Sequence, residues 1–497
     1  MNADAPYDLL IIGGGINGTA IARDAAGRGL KVLLCERDDL AEHTSSASTK
    51  LIHGGLRYLE YYEFRLVREA LKEREVLLRA APHIIWPMRF VLPHDEGLRP
   101  KWMLRAGLFL YDNLGGREKL PGTRTVDLRE PPHADVLEAR LTKGFEYSDC
   151  WVEDARLVVL NAVDAAERGA EVRTHTEVVA LSASEGGFTA TLRTEAGAES
   201  EVRTRGVVNS AGPWVNEVLG RIERGRNDAG LRLVKGSHIV TRRLFAHDDA
   251  YIFQNADNRV IFAIPYERDY TLIGTTDVPY TSDEGPPEAS DEEIRYLCAA
   301  ASEYLAADIG PEDVVWTYSG VRPLYDDKSE DASAVTRDYV LDVDAYGDRP
   351  VLSVYGGKIT TSRKLGQHAV DKLEPYFRGL LGPAWTREVP LPGGDMADAD
   401  FGAFFADTMA THPDIPRVTL HRLCRAYGTR VVGILGDGDR DTLPGGMLEA
   451  EARYLIANEW VREPEDALWR RTKLGLHMSA EEREAFARRF ADIAATA

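Results

Sequence analysis

Four groups of residues in this chain have types and spacings that can do chemistry. The first is Gly13-x-Gly15-x-x-Gly18, with Glu36 eighteen residues beyond the last glycine. Gly13 permits a tight turn, Gly15 lets backbone approach a pyrophosphate, and Gly18 lets a helix pack closely on a strand. Amides at the start of that helix can bind phosphate. A carboxylate at position 36 can accept hydrogen bonds from an adenosine ribose and would repel a 2′-phosphate, which disfavours NADP. The second group is the polar run Ser45, Ser46, Thr49 and Lys50, suited to holding a bound nucleotide or to capping a helix. The third sets cations beside glycines: His53-Gly54-Gly55-Leu56-Arg57, Gly320-Val321-Arg322 and Gly357-Lys358. Guanidinium forks in such places can grip a phosphate. The fourth is a pair of imidazoles, His53 and His238, which titrate near neutral pH and can move a proton. No metal-ligand spacing is evident, and no Cys or Ser nucleophile stands beside a base.

These residues need elements to position them. Residues 8–12 form an apolar run without polar alternation, the pattern of a buried strand. Residues 17–28 read as a helix ended by Gly29, and 31–35 as a second strand, so the glycines sit inside a β-α-β unit. That context turns a weak motif into a dinucleotide site. FAD and NAD both satisfy it. A later strand, Val207-Val208, runs into Asn209-Ser-Ala-Gly-Pro-Trp214, a second glycine turn far down the chain. Such a late return suits a discontinuous nucleotide domain. Helices are expected over 62–81, 98–114, 154–168, 290–307 and 359–377. Residues 235–276 are strand-rich. The Pro- and Gly-rich stretch 383–394 reads as a linker to a helical C-terminal part.

Composition bounds the answer. A chain of 497 residues is too long for one ordinary core, and 44% apolar residues suffice to bury several. Four cysteines without a C-x-x-C give neither a dithiol redox pair nor an iron–sulfur cluster its ligands. A net charge of −20 makes nucleic acid a poor partner. No run of about 18 apolar residues exists to span a bilayer. Met1 to Asp8 carry acids and no basic n-region, so the expected location is cytoplasmic.

The segments Ile12–Gly18, Asp24–Gly29, Thr44–Lys50, Leu51–Leu59, Gly144–Trp151, Lys235–His238, Ile273–Asp277, Tyr318–Leu324, Thr336–Tyr339, Gly356–Thr361 and Asp466–Lys473 together resemble the quinone-linked, FAD-dependent glycerol-3-phosphate dehydrogenases over nearly the whole chain. The resemblance implies a Rossmann-like α/β FAD-binding domain over 1–88, 145–234 and 318–382. It also implies an α+β substrate or cap domain of the D-amino-acid-oxidase type over 89–144 and 235–317, and a helical domain over 383–497. It assigns the cofactor FAD to Gly13, Gly15, Asn17, Gly18, Glu36, Ser45, Ser46, Thr49, Lys50, His53, Gly54, Gly55, Ala211, Gly212, Trp214, Gly357 and Lys358. Glycerol 3-phosphate falls to Arg57, Tyr58, Arg337, Lys358 and Thr360. His53 and His238 become candidates for proton transfer, and Arg322 the contact to the reacting oxygen. Two positions depart from the pattern: Ala20 stands where Gly is expected, and Ser362 where Tyr is expected, in a wall of the flavin or substrate pocket.

The resemblance further implies a membrane quinone as acceptor, reached from the inner face of the cytoplasmic membrane without a spanning helix. Residues 99–114, with Lys101, Arg105, Trp102 and Phe109, suit an interfacial helix; a helix buried between domains is the alternative. A homodimer is left open. The competing functions are an oxidase of the same substrate and a flavin-binding sensor without turnover. No insertion of the sort those oxidases carry is visible.

Overall fold

A computed structural model of the chain describes residues 6–95, 100–222, 230–255, 257, 259–281, 284–325, 338–346, 349–436 and 440–496. Two sheets and a helical unit organise it. In the first sheet, Tyr7–Ile12 lies between Val32–Cys35 and Glu199–Asn209, parallel to both. Arg349–Tyr355 continues the parallel set beyond Glu199–Asn209, and Glu171–Arg173 beyond Val32–Cys35. The register sets Ile12 beside Cys35 and Asn209, and Asn209 beside Ser353. Parallel strands end at a common edge. The turns at Gly13, Glu36, Ser210 and Gly356 therefore leave the sheet together, where open α/β sheets bind ligands.

Leu9 and Ile11 face the helices Ile16–Gly27, Asp154–Glu167 and Ser362–Leu373, while Leu10 and Ile12 face the hairpin Thr176–Ser184/Gly187–Thr194. Burial on both faces explains the unbroken apolar run in the sequence. A Cβ on Gly366 would lie 2.6 Å from the Ala20 carbonyl oxygen, so the glycine needed for close helix packing is supplied at 366.

The second sheet runs Leu231–Arg242, Tyr270–Gly274, Val260–Tyr266, Ala250–Gln254, Ile85–Pro93, Lys143–Val152 and Leu51–Ile52, with Val314–Tyr325 on the other side of Leu231–Arg242. Helices Phe64–Ala80 and Lys101–Leu114 pack near one face and Asp291–Ser302 on the other. The divisions expected at 144/145 and 317/318 fall inside Lys143–Val152 and Val314–Tyr325. Both strands pair along their length within the second sheet, with Ile85–Pro93 and with Leu231–Arg242.

Residues 401–494 pack around their own core, including Leu420, Tyr427, Leu455, Phe486 and Phe490. Two buried ion pairs tie it to the first sheet's unit. Arg471 meets Asp39 through two bonds of 2.6 and 2.7 Å, and Arg156 meets Glu459 at 2.9 Å with a second, shorter bond. Removing one partner of a buried pair strands the other charge, at about 3–5 kcal/mol. Asp39→Ala is expected to lower the thermal midpoint by several degrees, measured by calorimetry on the full chain. An unchanged midpoint would show that Asp39 does not hold the two units together.

Candidate active site

The glycine turn, the segment 41–45 and the Ser210 turn enclose a first cavity of about 150 Å³. Gly13 has φ +109°, and its carbonyl sits where any side chain on Gly18 would go. The helix Ile16–Gly27 starts with no side-chain cap, although the Ile16 amide donates to Ser45 Oγ at 3.0 Å. Its first turn is thereby held against the segment carrying Ser45. Glu36 accepts from the amides of Gly14 at 2.6 Å and Asp38 at 3.0 Å, and burial raises its carboxyl pKa. Trp214 closes the far end between the Arg37 guanidinium, 4.2 Å from its ring, and His43.

A second cavity of about 620 Å³ opens from the first, and Ile16, Thr44, Ser45, Pro323, Gly356 and Gly357 line both. The result is one trench, with Glu36 lining its first part and both imidazoles its second. Asn17 Oδ1 is buried and among the described residues has no hydrogen-bond partner, while its Nδ2 donates to the Gly356 carbonyl at 3.0 Å. The uncapped amides of the helix start fit the phosphates of an extended cofactor, and the vacant Asn17 acceptor fits one of its hydroxyl or N–H donors.

In the second cavity His53, Arg57, Tyr58, His238, Arg322, Lys358 and Thr360 converge. His238 is held by the register of the second sheet, opposite Gly274 on one neighbour and Tyr318 on the other. Its ring stacks on Tyr318 with centroids 4.7 Å apart, and Nε2 lies 3.0 Å from Thr49 Oγ1. Nδ1 has no partner. Burial, then Lys50 and Arg322, lower its pKa to about 3. His53 donates its amide to Thr360 Oγ1 at 3.2 Å. Burial, then Lys358 and Arg74, lower its pKa to about 4. Both imidazoles are neutral proton acceptors at working pH. Arg322 is held by Asp277 at 2.6 Å and by the Thr276 carbonyl at 2.9 Å. The Lys358 ammonium lies 3.9 Å from the centre of the Tyr58 ring.

Some expected residues are not brought to the trench. Lys50 is fully buried and turned away; its ammonium is used by Asp154 at 2.7 Å and the Ser46 carbonyl at 2.9 Å. Ser46 donates to the His43 carbonyl, and the Gly54 amide to Tyr111 Oη at 2.8 Å. Ser46, Gly54 and Gly55 line neither cavity and support the walls instead. Ser362 also lines neither, its hydroxyl donating to the Ile359 carbonyl at 2.9 Å, so its departure from the expected Tyr leaves the described walls unchanged. Arg337 lies outside the described residues. Residues without an expected role join the site: Arg37 and His43 at the first end, Arg232 and Arg259 in the second cavity, and Tyr318 behind His238. Arg37 follows Glu36 directly and could have been read from that position; the others carry no local signal.

With this geometry in place, comparisons with known proteins become informative. Residues 8–363 match the model of the FAD-dependent oxidoreductases, and residues 384–497 that of the C-terminal domain of alpha-glycerophosphate oxidase. A D-erythritol 1-phosphate dehydrogenase of Brucella abortus is 52% identical, the match covering 96% of each chain. A glycerol-3-phosphate dehydrogenase of Pseudomonas aeruginosa is 50% identical, over 95% of this chain and 93% of that one. The crystal structure of the Bacillus halodurans glycerol-3-phosphate dehydrogenase with FAD superposes with a TM-score of 0.79 at 26% identity, covering 100% of this chain and 92% of that one. This chain belongs to the FAD-dependent glycerol-3-phosphate dehydrogenase family of flavoprotein oxidoreductases.

Proposed function

We propose that the chain oxidises sn-glycerol 3-phosphate to dihydroxyacetone phosphate and passes the electrons to a membrane quinone. The observation that carries this reading is the meeting of two neutral imidazoles with Arg57, Arg322 and Lys358 at one end of the dinucleotide trench. FAD, when bound, supplies the hydride acceptor. Arg57, Arg337 and Lys358 hold the phosphate, with Tyr58 and Thr360 shaping its seat. Arg322 stabilises the developing alkoxide, and His238 or His53 takes the hydroxyl proton.

A second reading follows from the Brucella relative, whose name specifies a four-carbon polyol phosphate. The test is a steady-state assay with a dye acceptor and both substrates. Glycerol 3-phosphate is expected to have at least about tenfold higher kcat/KM, the size of discrimination that small differences in chain length support. A reversed order would replace the first reading with the second. Stoichiometric peroxide from oxygen would instead favour an oxidase.

We further propose that the protein contacts the inner face of the cytoplasmic membrane peripherally. No helix of the described residues is long and apolar enough to cross a membrane. Helix Lys101–Leu114 buries Leu108 and Tyr111 but exposes Trp102 (70%) and Phe109 (69%) beside Lys101 and Arg105. Tyr62 is 79% exposed nearby, on a segment joined to the one that packs against this helix. Apolar rings flanked by cations suit a lipid interface. Replacing Trp102 and Phe109 together by Ser is expected to lower quinone reduction in membranes severalfold and to spare dye reduction in solution. Equal losses in both assays would mean the helix only supports the fold.

A further inference from the structure

Two connections far apart in sequence bring three residues together away from both cavities. His133 lies in the connection between Arg124–Asp127 and Lys143–Val152. His247 and Asp249 lie in the turn before Ala250–Gln254. One ligand atom from each lies within 4.8 Å of the others. His133 is 3% exposed, and its Nε2 faces the Asp249 carboxylate at 3.6 Å. Among the described residues no donor hydrogen-bonds to that carboxylate. A half-buried carboxylate with an imidazole just beyond hydrogen-bond range is a gap in the wiring of the structure.

We propose that His133, His247 and Asp249 bind one zinc ion or a similar borderline divalent cation. Tetrahedral zinc ligands lie about 3.4 Å apart when each is about 2.1 Å from the ion, so the pair at 3.6 Å is already spaced for it. Two imidazoles and one carboxylate are a ligand set that zinc accepts, with water as the fourth ligand. The orientation of the rings is also prepared. His133 Nδ1 and His247 Nε2 both meet Tyr251 Oη, at 3.2 and 2.9 Å, which leaves His133 Nε2 and His247 Nδ1 as the ligating atoms. Metal-bound histidines are held in this way by a partner on the other ring nitrogen. His247 Nδ1 at present accepts the Asp249 amide at 3.2 Å, and the ion takes that place. The surrounding arginines are occupied. Arg89 and Arg124 pair with Glu146, and Arg243 with Asp248, so no unpaired cation among them opposes a divalent ion. The ion would staple two connections of the second sheet together.

The test uses chelator-treated, FAD-loaded enzyme. Calorimetric titration with Zn²⁺ is expected to give one site per chain and a raised thermal midpoint, and Co²⁺ is expected to give the visible bands of a tetrahedral complex. His133→Asn and Asp249→Asn should each weaken binding at least about tenfold, and Tyr251→Phe by about 10- to 100-fold. Dye-linked activity should be the same in all three variants as in the parent. Absence of a stoichiometric site in the parent overturns the proposal. So does Zn²⁺ binding of full affinity in His133→Asn, which would place the ion elsewhere. A folded, active His133→Asn that has lost the site supports it.

Discussion

Replacing His238 by Asn is expected to lower kcat by about 10²–10⁴ while the chain keeps its FAD, the loss typical of a missing general base. The ring is neutral, stacked on Tyr318 and braced by Thr49, with Nδ1 unpartnered among the described residues. His53→Asn is the matched control, because its imidazole is neutral for the same reason. Whichever variant loses kcat with full flavin occupancy carries the base. A variant that loses flavin instead has lost a cofactor contact. If both keep kcat and FAD, the proton leaves through water beside Arg322. The pH dependence follows from the lowered pKa values. A base must be deprotonated, and pKa values of about 3 and about 4 keep both rings so down to acid pH. The kcat of the parent should therefore stay level through pH 6.5, where an ordinary imidazole would be half protonated. A drop to half near pH 6.5 would rule out a buried neutral histidine as the base.

Gly18→Ala is expected to yield a chain that purifies with less than about a tenth of its FAD, since the phosphate turn depends on close helix–strand packing. The added Cβ would lie 1.9 Å from the Gly13 carbonyl oxygen and 2.6 Å from Ser210 Oγ. Gly13 cannot retreat, because its amide is bonded to the Cys35 carbonyl at 2.9 Å in the turn that leaves the sheet. The turn must open, and the amides facing the pyrophosphate lose their arrangement. Gly15→Ala is the contrast. Its Cβ would meet only Ser45 Oγ, at 3.0 Å, the tip of a side chain that can shift by a few tenths of an ångström, so loss of FAD there comes chiefly from crowding the ligand. The ratio of flavin to protein absorbance after gel filtration measures both. Full occupancy in Gly18→Ala would remove the packing role assigned to that glycine.

Much of this protein is legible along its chain, and the legible part has a common cause. Gly13, Gly15, Gly18 and Glu36 belong to one β-α-β unit, where a local turn and two strands position everything the nucleotide needs. The buried strands show as apolar runs because both faces of a parallel sheet are covered. Glycine-flanked residues such as His53, Arg57, Arg322 and Lys358 are legible as candidates because backbone that can approach a ligand requires small neighbours.

What the tertiary structure alone decided concerns direction and partnership. Lys50 sits among residues suited to a cofactor, yet Asp154 lies more than a hundred positions away and draws its ammonium into the core. No local pattern predicts that pairing. Tyr318 acquires its place behind His238 through the register of two antiparallel strands, and a shift of one residue would turn it to the other face. The strands 143–152 and 314–325 joined the second sheet because their hydrogen-bonding partners lie there. His133 came to face Asp249 for a similar reason: the connections that carry them are brought together by strands that pair across the sheet. Residue type and local spacing determine which chemistry a chain can do. Which side chains share a cavity and which are spent holding the walls is determined by long-range pairing, where burial favours polar groups that find a partner.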